Sequence, residues 1–138
     1  MKIFICTSKY LYNKIPPVNE ALKKMGHQIT LPNSYDNPFL EEEMKKKSTA
    51  AHIEFKTAML REQEKKVLAN DAILVLNYEK NGQPNYIGGA TFLEIFKASE
   101  LGKKIFLMNP IPDNIFKDEL IGINPVVINQ DLSKIIIN

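Results

Sequence analysis

Two adjacent glycines, Gly88-Gly89, stand five residues ahead of a carboxylate, Glu94, in the stretch Asn85-Tyr86-Ile87-Gly88-Gly89-Ala90-Thr91-Phe92-Leu93-Glu94-Ile95. Paired glycines let a backbone approach a ligand closely and take positive φ. A helix N-terminus adds unpaired N–H groups facing the same ligand. A carboxylate aimed into that space can stabilise or attack a carbon that develops positive charge. The spacing also fits plainer readings. Gly88-Gly89 can be a simple turn, and Thr91-x-x-Glu94 fits a capping box, in which Glu94 only returns a hydrogen bond to its own helix start; a helix that begins earlier, at Gly89 or Ala90, instead puts Glu94 in the second turn, pointing into the crevice.

The flanking elements decide where these residues sit. Ala72-Ile73-Leu74-Val75-Leu76-Asn77 is a continuous apolar run, read as a buried strand, and Phe92 to Leu101 is amphipathic. Strand, glycine loop and helix therefore follow one another. Upstream, Lys2 to Cys6 reads as a first strand and Thr7-Ser8-Lys9-Tyr10 as a polar loop. A helix starting at Pro16-Pro17 and stopping at Gly26 leads to a second strand, Gln28 to Leu31. A long helix is expected from about Ser48 to Leu68, with a shorter helical piece before it and Ile53, Leu60 and Val67 repeating along it. Lys104 to Met108 and Pro125 to Ile128 supply the fourth and fifth strands, with a short helix within Asp113 to Ile121. This alternation predicts a doubly wound α/β fold with five parallel strands and helices on both faces, forming one domain over residues 1–138.

In the order 2-1-3-4-5, ligands bind at the carboxyl ends of the strands, near the switch between strands one and three. Thr7, Ser8 and Tyr10 should then share a crevice with Gly88, Gly89 and Glu94, and Asn77 and Asn109 end the third and fourth strands beside it. Thr7 and Ser8 also suit ordinary loop hydroxyls, and Asn109 a turn before Pro110.

Composition narrows the function classes. The net charge of +2 is too small to argue for a nucleic-acid polymer or an anionic membrane. The sequence has no apolar run long enough to span a bilayer. One cysteine allows no internal disulfide and fits a reducing compartment, so the expected location is cytoplasmic. With two histidines, His27 and His52, far apart, no structural zinc site is expected, and neither a P-loop nor a dinucleotide fingerprint is present.

The segments Ile3-Phe4-Ile5-Cys6-Thr7-Ser8, Asn70 to Asn77, Gly89 to Ile95 and Lys97 to Ile105 together resemble the nucleoside 2-deoxyribosyltransferase superfamily, which includes the 2′-deoxynucleoside 5′-monophosphate N-glycosidases. The resemblance covers Asp71 to Pro110 and, more thinly, Met1 to Tyr12; Lys14 to Ala69 carries none. The glycine loop with Thr-x-x-Glu also resembles the phosphoribohydrolases of the lysine-decarboxylase-like family, which share N-glycosidic chemistry. The resemblance implies a flavodoxin-like fold, assembly as a homodimer or higher oligomer, and a nucleoside or nucleotide substrate with no cofactor. Glu94 matches the family's nucleophile. Thr7, Ser8 and Tyr10 fall where the family binds sugar or phosphate. Where many members carry Asp at the end of the third strand this chain has Asn77, whose amide cannot act as a general acid or base. The loop Glu79 to Ile87 is this chain's own. The expected function is cleavage or transfer at an N-glycosidic bond. The alternatives are a non-catalytic nucleotide-binding module using the same crevice, and a domain that acts through a partner surface.

Overall fold

The computed structural model describes residues 1–136. Five strands, β1 (Lys2–Cys6), β2 (Gln28–Thr30), β3 (Ala72–Val75), β4 (Lys104–Leu107) and β5 (Val126–Val127), pair all-parallel in the order β2-β1-β3-β4-β5. This is the doubly wound, flavodoxin-like α/β arrangement, and the switch lies between β1 and β3. Ile3 stands beside Ala72 and Cys6 beside Val75. Residues Ala72 to Val75 are each fully buried, as a central parallel strand covered on both faces requires.

The helices are α1 (Ile15–Lys24), α2 (Leu40–Lys47), α3 (Thr49–Ala69), α4 (Gly89–Glu100) and α5 (Lys117–Ile123). Strand alternation sorts the core into two layers. Ile3, Ile5, Leu74 and Phe106 pack with Ile15, Val18 and Leu22 of α1 on one face. Phe4, Cys6, Ile73, Val75 and Leu107 pack with Val67 of α3, Ile95 and Ala98 of α4 and Leu120 of α5 on the other. Helix α1 carries its prolines in the first turn, where no intrahelical N–H is lost. Helix α3 is capped by Ser48, whose side chain accepts from the Ala51 N–H at 3.0 Å.

Several boundaries differ from the sequence reading. Thr7 to Tyr10 is not wholly loop: a 3-10 turn runs over Lys9–Lys14 and leads directly into α1. Strand β5 is only two residues long. Helix α5 starts at Lys117 and ends at Ile123, stopped by Asn124, which takes a left-handed φ of 55°. Of the Ile53, Leu60 and Val67 repeat, only Val67 is buried; Ile53 is exposed. No described helix is long and apolar enough to cross a membrane.

Candidate functional site

Helix α4 begins earlier than its apolar pattern does. Gly88 is its N-cap in extended backbone (φ −89°, ψ 178°), and the Phe92 N–H donates to the Gly88 carbonyl at 2.9 Å. With Gly89 as the first helical residue, Thr91 occupies the third position and Glu94 lies in the second turn. The capping-box reading is therefore incorrect: Thr91 is not the cap, and Glu94 is out of reach of the helix start it would have to serve.

Glu94 instead lies on the floor of a crevice of about 370 Å³ at the carboxyl edge of the sheet, between β1 and β3. Thr7, Ser8 and Tyr10 line this crevice from the end of β1, and Gly88 and Gly89 line it from the start of α4. The glutamate is 7% exposed. Among the described residues no N–H or O–H donates to its carboxylate, and its close polar neighbour is the buried Cys6 thiol. Burial pushes the Glu94 carboxyl up to about 8; Cys6 beside it and the more distant Lys66 and Lys56 pull the other way and do not win. The neighbouring groups respond in kind. Burial, with the adjoining Glu94 charge and hydrogen bond, holds the Cys6 thiol well above its ordinary range against the opposing Lys66 charge. Burial and Glu94 also push the Tyr12 hydroxyl up, while that hydroxyl donates to the Asn33 carbonyl at 3.0 Å.

Asn77 and Asn109 do not line the crevice, and their expected role as ligand contacts is corrected. They hold each other. The Asn77 side-chain amide donates to the carbonyls of Asn109 and Pro110 at 2.9 and 3.1 Å, and its Oδ1 accepts from the Asn109 N–H at 2.9 Å. The Asn109 side-chain amide returns a bond to the Asn77 carbonyl at 3.1 Å. Gln130 completes the clasp by donating to Asn109 Oδ1 at 2.8 Å. This pins the ends of β3 and β4 together. A side chain that must donate to two carbonyls while accepting from an N–H has to be an amide, which accounts for an asparagine here.

The remaining wall comes from residues that the sequence reading did not single out as ligand contacts. Helix α3 presents Phe55, Lys56, Met59 and Gln63 to the crevice, and Gln63 ties it to the first turn of α4 by donating to the Ala90 carbonyl at 3.3 Å. Glu41 and Glu42 of α2 close the side. Glu42 pairs with Lys9, and Glu41 sits 3.8 Å from Lys9, 3.4 Å from Lys56 and 2.9 Å from His52 Nε2. Burial works to raise the Glu41 carboxyl, but its His52, Lys56 and Lys9 partners hold it below the ordinary range. Lys9, chiefly through its hydrogen bond, does the same for Glu42. The recurrence of 55, 59 and 63 along α3, with a glutamine among larger apolar residues, is the signal that this face meets a polar cavity rather than a dry core.

The fourth wall is a hairpin in the segment between β3 and α4. Lys80 and Gln83 exchange backbone hydrogen bonds of 3.0 and 2.9 Å around Asn81 and Gly82, whose φ values are 49° and 80°. Asn-Gly with both central φ values positive is the favoured two-residue hairpin turn. The Tyr86 N–H closes the next rung onto the Tyr78 carbonyl at 2.9 Å. The turn delivers Lys80 and Tyr86 to the crevice. The Lys80 ammonium lies 4.2 Å from the Tyr10 ring centroid and 4.3 Å from that of Tyr86. Tyr86 in turn rests on Gly88: a Cβ there would stand 3.1 Å from the tyrosine hydroxyl. Among the described residues no three His, Cys, Asp or Glu side chains gather as metal ligands would.

Chemically, the crevice offers one buried carboxyl served only by a thiol, the Ser8 hydroxyl, two tyrosine rings and a set of lysines, some neutralised and some not, while the Thr7 hydroxyl donates to the Leu76 carbonyl at 2.7 Å. Comparison of the sequence with models of known families and with curated proteins finds no match to either.

Proposed function

We propose that the protein cleaves or transfers at the N-glycosidic bond of a nucleoside or nucleoside monophosphate, with Glu94 acting on the anomeric carbon. The observation that carries this reading is the placement of Glu94: a nearly buried carboxyl on the floor of an open crevice, with no N–H or O–H partner of its own among the described residues. Burying a carboxyl with only a thiol as its hydrogen-bond partner works against folding, and a protein retains such a group where a ligand supplies the missing interaction.

Breaking the C1′–N bond leaves the sugar short of electrons at C1′. The ionised Glu94 carboxylate either stabilises that charge or donates an electron pair to C1′, while the bond pair leaves with the base. Water, or the N–H form of a second base, then displaces the carboxylate, and the proton it loses ends on the departed base, so that Glu94 returns as the free carboxylate. The raised carboxyl range has a direct consequence. With a pKa of about 8, only about a tenth of Glu94 is ionised at pH 7 in the empty site. A nucleophilic role therefore makes kcat/KM climb with pH up to about 8, since this parameter reports groups of the free enzyme.

The mostly neutral carboxyl also favours a second reading, a nucleotide-binding module without turnover. The experiment that separates the two is base release from a panel of 2′-deoxynucleosides, ribonucleosides and their 5′-monophosphates, with wild type and Glu94→Gln. The expected result is release by the wild type on at least one substrate and a loss of about 10³-fold or more in the variant. Wild-type binding without release on the whole panel establishes the second reading, and equal rates in both proteins overturn the role of Glu94.

A further inference from the structure

The lysines of the crevice are not equivalent. Lys9 and Lys56 are held by Glu41 and Glu42. Lys45 is exposed on α2. Lys80 is half-buried, lines the crevice, and among the described residues has no carboxylate within ion-pair distance. It is held by the faces of Tyr10 and Tyr86. Cation–π contact attracts an ammonium without cancelling its charge. The position is also fixed in advance by three backbone hydrogen bonds and the Asn81-Gly82 turn, so little ordering is left for a ligand to impose.

We propose that Lys80 recognises a phosphate on the substrate, so that the crevice takes a nucleoside 5′-monophosphate in preference to the free nucleoside. This rests on the glycosidic reading of the same site and deepens it. A phosphate supplies what the Lys80 environment lacks: an anion against a partly desolvated cation, in the short charge-assisted geometry that is the strongest hydrogen bond available here. The Ser8 hydroxyl, on the same crevice as Tyr10, is a further donor for its oxygens, whereas the Thr7 hydroxyl already donates to the Leu76 carbonyl at 2.7 Å. The tyrosines act as positioning residues, since they aim the ammonium without touching the phosphate.

The test is calorimetric binding of the common 2′-deoxynucleosides and their 5′-monophosphates, in a Glu94→Gln background that prevents turnover. The expected result is a preference for the monophosphate of about tenfold or more, largely lost in Lys80→Gln and largely kept in Lys80→Arg. Equal affinity for nucleoside and monophosphate, or a preference that survives Lys80→Gln, overturns the assignment. Base release by the protein with Glu94 intact is read separately. A Lys80-dependent preference without base release sinks the glycosidic reading and leaves Lys80 as an anion contact. Base release without that preference sinks the Lys80 assignment alone.

Discussion

Asn77 and Glu94 are two buried polar residues at the same edge of the sheet, and they are buried on opposite terms. Asn77 is 0% exposed and meets two carbonyls and one N–H, so every direction its amide points has a partner. Glu94 is 7% exposed, and among the described residues no N–H or O–H serves its carboxylate. The first is a fastener, and its polarity is consumed by the fold. The second leaves its polarity unspent and turned toward an open crevice. Burial alone does not separate structure from function at this edge; the hydrogen-bond partners do.

The sharpest way to break the comparison is to give the fastener the chemistry of the site. Asn77→Asp replaces an N–H₂ donor with an oxygen facing the Asn109 and Pro110 carbonyls. An ionised carboxylate there has lost both acceptor partners, and the expected cost is about 3 to 5 kcal/mol, read as a lower midpoint in urea unfolding. Protonating the new acid restores a donor, so the loss is smaller at pH 4 than at pH 7. A variant as stable as the wild type at pH 7 removes the distinction drawn between the two residues.

The converse substitution acts on Glu94 and has the opposite sign. The folded state keeps this proton up to about pH 8, whereas the unfolded chain releases it near the ordinary value of 4.5. Between those values folding takes up a proton. The stability this provides is complete below about pH 4.5 and is lost as pH rises through about 8. Glu94→Gln abolishes that slope. The variant should gain on the wild type as pH rises from 5 to 9, by about 4 kcal/mol, because the cost of a buried amide is the same at every pH and leaves this change untouched. Thermal or urea unfolding of both proteins across that range checks it, and a difference that stays flat with pH is the result that counts against the raised carboxyl.

How far these two residues are legible in the sequence follows from what holds them. The strands are legible because Ala72 to Val75 must be apolar on both faces, and the sheet order follows from the alternation of strands with helices. Glu94 is legible as a carboxylate behind a glycine loop, but the sequence leaves open whether it caps its helix or faces the crevice. The amphipathic pattern starts at Phe92 while the helix starts at Gly89, and that shift of three residues turns an apparent cap into a buried group. Asn77 and Asn109 read as loose ends because each needs the other, and their proximity exists only once β3 lies beside β4. The Lys9, Glu41, Glu42 and Lys56 wall is hidden for the same reason, as α2 and α3 reach the crevice only through tertiary packing. The Asn81-Gly82 turn is different, because its type is written in two adjacent residues and it announces the hairpin that carries Lys80.

The smallest effects sharpen the comparison at the glycine loop, where the two neighbours should separate just as the asparagine and the glutamate do. Neither glycine has a positive φ, so neither is required by backbone conformation. A Cβ at Gly88 would meet Tyr86 at 3.1 Å from its hydroxyl and 3.4 and 3.5 Å from its ring, whereas nothing lies within 4 Å of a Cβ at Gly89. Gly88→Ala must therefore push Tyr86, and with it the ring that holds Lys80, at a cost of about 1 kcal/mol. Gly89→Ala meets no obstacle and sits in the first turn of α4, so it should be neutral or stabilising by about 0.4 to 1 kcal/mol through the unfolded chain. Its methyl group nonetheless enters the lining of the crevice. Ligand affinity should then fall in both variants while stability moves in opposite directions, a pattern that paired unfolding and binding curves read directly. If Gly89→Ala binds nucleotides as well as the wild type, the second glycine is only part of the turn.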